Sequence, residues 1–141
     1  MNLWLISAGL LSALAATLHL GCIYFGASWY RFFGAGEQMA VMAERGSMQP
    51  TIITSGIVTV LGVWALYAFS AAGILSNISL PFTRIVLLLI SAIYLLRGIV
   101  GFFFIFNPLG RSPEFWFWSS CICLLFAFVH FIGVKQSWAS L

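Results

Sequence analysis

The sequence predicts an all-α fold: an integral membrane, antiparallel four-helix bundle with a short interfacial helix between the first and second spans. Three observations carry this. Four long apolar stretches, at about 3–24, 51–70, 82–106 and 115–134, fill most of the chain. Each is about 20 residues or more, enough at 1.5 Å per residue to cross a ~30 Å hydrocarbon layer. Their apolar character is continuous rather than alternating, which excludes a barrel, and in lipid only helices and closed barrels satisfy every backbone N–H and C=O. Finally, 62% of the residues are hydrophobic and 6% charged, a composition that cannot cover a water-facing surface. The 141 residues are expected to form one transmembrane domain.

The first span is expected to stay in the protein. Met1 to Trp4 lacks the basic start of a secretory signal, and the apolar run continues past the small-residue triplet Ala13-Leu14-Ala15. His19-Leu20-Gly21-Cys22 resembles the end of a lipobox, but a histidine three residues before the cysteine does not fit that motif. The connection that follows is the richest. Trp29, Tyr30, Phe32 and Phe33 suit the half-wet headgroup layer. Glu37 to Arg45 can form a short interfacial helix with Met39, Met42 and Ala43 on one side. Its plain role is an anchor lying on the membrane. Its sharper role is a lid over the bundle mouth, bringing Glu37, Glu44 and Arg45 close to anything bound there.

The remaining boundaries are punctuated by proline. Gln49-Pro50-Thr51 opens the second span and Ser79-Leu80-Pro81 the third, while Asn107-Pro108-Leu109-Gly110 is a turn. Ser112-Pro113-Glu114 places a capping hydroxyl, a helix-starting proline and an acid ahead of Phe115. Glu114 is therefore read as a helix-start residue and not as a catalytic acid. Asn77-Ile78-Ser79 matches a glycosylation acceptor, which matters only in a eukaryotic lumen. Arg31, Arg45 and Arg111 fall on one side of the membrane, Arg84 and Lys135 on the other, too small a difference for the positive-inside rule to assign orientation.

Helical spacing gives each span one small or polar face. These are Ala8, Ser12, Ala15, His19 and Cys22 on the first and Ser55, Thr59 and Gly62 on the second. Ser91, Tyr94, Arg97 (or Gly98) and Gly101 share a face of the third, and Ser120, Cys123, Ala127 and His130 a face of the fourth. Membrane helices pack through such faces, so all four are expected to point inward. By depth, His19, Arg97, Ser55 and Ser120 fall in the half nearer the first and third connections. The candidate ligand-binding set is Arg97, His19, Tyr94, Ser55, Ser120 and Glu44, lining a polar half-pocket.

Arg97 carries most weight. An arginine within a span costs about 2.5–3.5 kcal/mol on insertion scales and should be partnered. No acid lies within any span, so it has no intramembrane counter-charge. It is either a brace that snorkels to the interface or pairs with Glu37 or Glu44, or a receptor for a lipid phosphate or carboxylate. His19 is read as a hydrogen-bonded packing residue or a proton- or ligand-handling group, and His130, near Lys135, as an interfacial anchor. Antiparallel threading separates the two histidines by roughly 15 Å along the membrane normal, too far for one haem iron.

Cys121 and Cys123 are two apart and face different sides of a helix, so they form no Cys-x-x-Cys pair. No cofactor, metal or catalytic set is expected: there is no phosphate-binding glycine loop, paired carboxylate or Ser-His-Asp arrangement. The scattered cations leave no nucleic-acid footprint.

The run from His19 to Gly26, then Trp29-Tyr30-Arg31-Phe32-Phe33-Gly34-Ala35-Gly36-Glu37, resembles small bacterial inner-membrane proteins of no assigned activity. Tyr94-Leu95-Leu96-Arg97-Gly98 and the Trp- and Ser-rich start of the fourth span fit the same likeness. It implies a bacterial inner membrane and no particular chemistry. The expected function is binding or accessory: a half-pocket holding an anionic lipid or amphiphile, or docking a partner. Membrane lipids, a second copy or another membrane protein are the expected partners. A small oligomeric transporter is the alternative, although such exporters usually carry an intramembrane carboxylate. A lipid-modifying enzyme is third.

Overall fold

The computed structural model describes residues 1–141 as six helices without strands. Four are long and apolar enough to cross a membrane: α1 (Leu3–Phe25), α4 (Gln49–Ala71), α5 (Thr83–Phe103) and α6 (Pro113–Ser137). Two short helices, α2 (Ala27–Phe32) and α3 (Glu37–Glu44), make up the first connection. The short helix predicted over Glu37–Arg45 is α3; the aromatic run before it forms a further helix, α2, which spacing alone does not announce. The third long helix stops at Phe103, three residues short of the predicted end, because the chain turns through Phe104–Asn107 toward Pro108.

Helix ends follow the expected chemistry. Asn2 caps α1 by accepting the Leu5 N–H at 3.1 Å. Ser112 caps α6 by accepting the Phe115 N–H at 3.1 Å, with Pro113 in its first turn. Gly26, at φ 77°, breaks the chain direction between α1 and α2, a conformation that suits a residue without Cβ.

The same caps fix topology. The Asn2 side chain donates to Gly133 O at 3.0 Å and to Ser137 Oγ at 2.6 Å, and its backbone N–H reaches Ala72 O. The start of α1 therefore lies against the ends of α4 and α6. Arg84, in the first turn of α5, donates to Trp138 O at 3.0 Å and stacks on the Trp138 ring, so α5 starts where α6 ends. Neighbouring long helices run antiparallel, with α1 packed on α4 and α6, and α5 on α6.

Close approach is built from glycine. A Cβ at Gly9 would meet the Phe69 ring, one at Gly133 the Leu5 side chain and backbone N, and one at Gly98 the Leu124 side chain and Ser120 O. All four long helices meet at Tyr94. Its hydroxyl shares a hydrogen bond with Ser12 at 3.0 Å, and its ring packs edge-on to Trp64 and Phe126 and beside His130. The interior mixes small residues, Ala8, Ser12, Ala65, Ala68, Ser91 and Ser120, with the buried large side chains Leu5, Leu87, Ile90 and Phe126. Leu14, Leu66, Leu89, Leu96, Ile122 and Phe128 face outward.

Two expected orientations are corrected. Ser55 and Thr59 lie on the outer face of α4, where Gly56 and Gly62 also have no neighbour within 4 Å. The inward face is instead Thr54, Leu61, Ala65 and Ala68, about 100° round the helix from the predicted one. His130 is not an interfacial anchor. It is fully buried, with Nδ1 2.7 Å from Phe126 O, because it packs beneath Tyr94 instead of following Lys135 outward.

Replacing Gly133 with leucine should cost about 1–3 kcal/mol, since it forces α1 from α6 at Leu5. Gly62→Leu, on the open face, should leave stability unchanged or slightly raised. Unfolding titrations of the two variants in detergent would separate them, and equal losses would contradict the α1–α6 contact.

Candidate functional site

Arg97 projects from α5 between Tyr94, which turns to the bundle centre, and Gly101 one turn on. The space a Cβ would fill at Gly101 is occupied by Arg97 Nη1, at 2.5 Å, and by Ser120 Oγ, so these two polar atoms are neighbours in the α5–α6 seam. The guanidinium thus runs along α5 toward its C-terminal end, where free carbonyls favour a cation. Nη2 donates to Ser119 Oγ at 3.2 Å, and Cζ lies 4.9 Å from the centre of the Trp116 ring. Trp116 is held in place by its own indole N–H, which donates to Pro108 O at 2.7 Å. Arg97 Nη1 and Ser120 Oγ are buried, and neither has a hydrogen-bond partner.

A second guanidinium reaches the same ring. Arg111 Cζ lies 4.9 Å from Phe115 and 5.5 Å from Trp116. Partial burial against these rings, and then the Arg97 charge, pull the Arg111 guanidinium below its ordinary range. Its Nε donates to Ala35 O at 3.3 Å, in the α2–α3 connection. Gly34 lies against the Phe115 ring and Gly36 near Gly110 O, both with positive φ. The first connection therefore arches across to the third at this corner.

No carboxylate answers these two cations. Arg31 takes Glu37, with Nη2–Oε1 at 2.7 Å and Nε also bonded, and Glu44, with Nη1–Oε1 at 2.6 Å. Hydrogen bonding to both acids raises the Arg31 pKa and holds both carboxyls below the usual glutamate range. Glu114 stays in the exposed first turn of α6 without an ion pair.

The six residues singled out from sequence are thus dispersed. Arg97 and Ser120 come together. Tyr94 is the bundle hub, bonded to Ser12. His19 is half-buried on α1, with Nδ1 2.6 Å from Ala15 O. Ser55 is on the outer surface, and Glu44 belongs to Arg31, not Arg97. Trp116 and Arg111 join the corner unforeseen. The readable signal was their spacing across a capped helix start, which sets a cation beside an indole. No three His, Cys, Asp or Glu side chains converge, and Cys22 packs instead with Tyr30 and Ala40 under α2 and α3.

Comparison with protein-family models, with curated proteins and with solved structures finds no match to this chain.

The Arg31 clasp gives a pH prediction with a definite sign. Glu37 and Glu44 have lowered pKa values in the folded protein, so their stabilisation of α2–α3 is complete above the unfolded glutamate value, about 4.3. It is lost as pH falls through the lowered values. Trp29 fluorescence followed from neutral to acid pH should report loosening there, and Arg31→Gln should abolish that step. A step that survives Arg31→Gln would assign it to another group.

Proposed function

We propose that the protein is a multi-pass bundle of a bacterial inner membrane that binds an anionic headgroup, a phosphate or carboxylate, at the Arg97–Arg111–Trp116 corner, in a non-catalytic binding or accessory role. The observation that carries this is the convergence of two guanidiniums on one indole with no carboxylate in ion-pair reach. Like charges placed together repel, and an anion between them turns that cost into two charge-assisted contacts. Arginine forks match phosphate and carboxylate geometry.

Depth supports a lipid source. Although Cα of Arg97 lies within a candidate span, its head lies beside Trp116, three residues after the start of α6 at Pro113, or about 4.5 Å in helix rise. With α6 crossing a bilayer, a head at that height would lie where hydrocarbon gives way to headgroups. Tyr24, Phe25, Trp29 and Phe33 stack on one another where α1 passes into α2, at the same end of the bundle, and form an aromatic belt there. Large apolar side chains all over the outside of the long helices suit a bundle surrounded by lipid. The likeness to small bacterial inner-membrane proteins supplies the setting.

A non-catalytic role follows from what surrounds the hydroxyls. Ser119 bonds Arg97 and Trp116 O, and Ser120 Oγ has no partner, so neither serine has an adjacent base. The outer face at Ser55, Gly56 and Thr59 offers the small surface through which a second copy or a membrane partner would pack.

Native mass spectrometry from mild detergent should find a phospholipid adduct on the wild type. Arg97→Leu should reduce its retention about tenfold or more, the loss expected for a charged hydrogen bond. Arg97→Lys, which keeps the charge, should fall between. Equal adducts on wild type and Arg97→Leu would remove the corner from consideration.

A further inference from the structure

We infer that the headgroup corner controls the arch: anion binding between Arg97 and Arg111 fastens the α2–α3 connection onto the α5–α6 connection, with Arg111 as the shared part. This rests on the headgroup reading above and adds its regulation. Arg111 is the only side chain with a hydrogen bond from the α5–α6 connection to the arch, through Nε to Ala35 O. Gly34 against Phe115 and Gly36 near Gly110 add close approach there but no side-chain bond. Tyr30 ties the arch to α4 through Thr54 and Pro50, so what the guanidinium holds is the Ala35 turn against the α5–α6 connection.

The same guanidinium shares the Trp116 ring with Arg97 and carries its repulsion. That repulsion is an unfavourable term in the position from which Arg111 holds Ala35. Arginine has five N–H donors in a rigid fork, so the outer nitrogens can meet an anion while Nε keeps the arch carbonyl. An anion therefore cancels the repulsion and fixes Arg111 in its bridging position. The Arg31 clasp makes the arch one unit, since it ties α2 to α3 through Glu37 and Glu44. Fastening Ala35 thus steadies both short helices.

Lysine separates binding from fastening. Arg111→Lys keeps the positive charge for the anion but has one nitrogen and no fork, so it cannot serve Ala35 and the anion together.

The test is hydrogen exchange of the 33–37 and 108–112 amides in bilayer discs of phosphatidylcholine, with and without phosphatidylglycerol. Lipid adducts are counted on the same samples by native mass spectrometry. In the wild type, phosphatidylglycerol should slow exchange of the arch by about fivefold or more, the lower range of coupling between two sites. Compared at lipid occupancy matched to the wild type, Arg111→Lys should lose the slowing, and Arg97→Leu should lose adduct and slowing together. Adducts that depend on Arg97 without slowed exchange would overturn the coupling and leave the headgroup reading intact. Adducts independent of Arg97 would overturn both. Slowing by inorganic phosphate in pure phosphatidylcholine discs, with no adduct from phosphatidylglycerol, would support the coupling and identify a soluble anion as the ligand.

Discussion

The close approach of α5 and α6 at Gly98, Gly101 and Ser120 is the constraint from which the rest follows. With no Cβ at Gly101, the Arg97 side chain can pass along the seam, and with the helices this near it has no other inward path. Its charge is carried out of the bundle middle and delivered to the capped start of α6. There Trp116, pinned by Pro108 O, receives it on its ring face. The polar arginine is thereby tolerated within a candidate span without any acid in the bundle.

Several polar groups elsewhere in the long helices find a partner in their own backbone. Thr17 bonds Ala13 O, Thr59 bonds Ser55 O, Ser91 bonds Leu87 O, and His19 and His130 turn back to Ala15 O and Phe126 O. Each is a bond to the carbonyl four residues earlier, available to any helix without help from a neighbour. Such residues need not face inward, and this is why Thr59 can lie outside although it shares a small, polar stripe with Ser55 and Gly62. Polarity in a membrane helix marks the interior only when the group cannot be satisfied by its own backbone. Arginine is too long and too charged for that solution, so it was the better guide.

This also sets what was legible in the sequence. The four long helices, their prolines, the Ser112 cap and the α3 segment could be read because each depends on neighbours in the chain. The inward face of α4 could not, because Thr54 and Ser55 differ by one helical step and only packing on α1 chooses between them. The nearness of Arg97 and Ser120 was legible through shared depth on facing helices. The destination of Glu44 was not, since both Arg31 and Arg97 were in reach of a folded loop and only the geometry of α2 against α3 favours Arg31. The two short helices place Arg31 six residues before Glu37 and thirteen before Glu44, close to both acids at once.

That choice decides the electrostatics of the whole end of the bundle. The chain has six lysines and arginines and three acids. Arg31 removes two of the three acids from use, and Arg84 lies at the opposite end, bonded to the Trp138 carbonyl and stacked on its ring. At the arch end Arg45, Arg97 and Arg111 are left without an ion pair, and the last two share the Trp116 ring beside Ser119 and Ser120. Had Glu44 paired with Arg97, the corner would be a neutral brace and the arch would lack its clasp. Because two of the three acids are spent on holding α2 to α3, the same arrangement that shapes the arch leaves Arg97 and Arg111 without an ion pair beside Trp116.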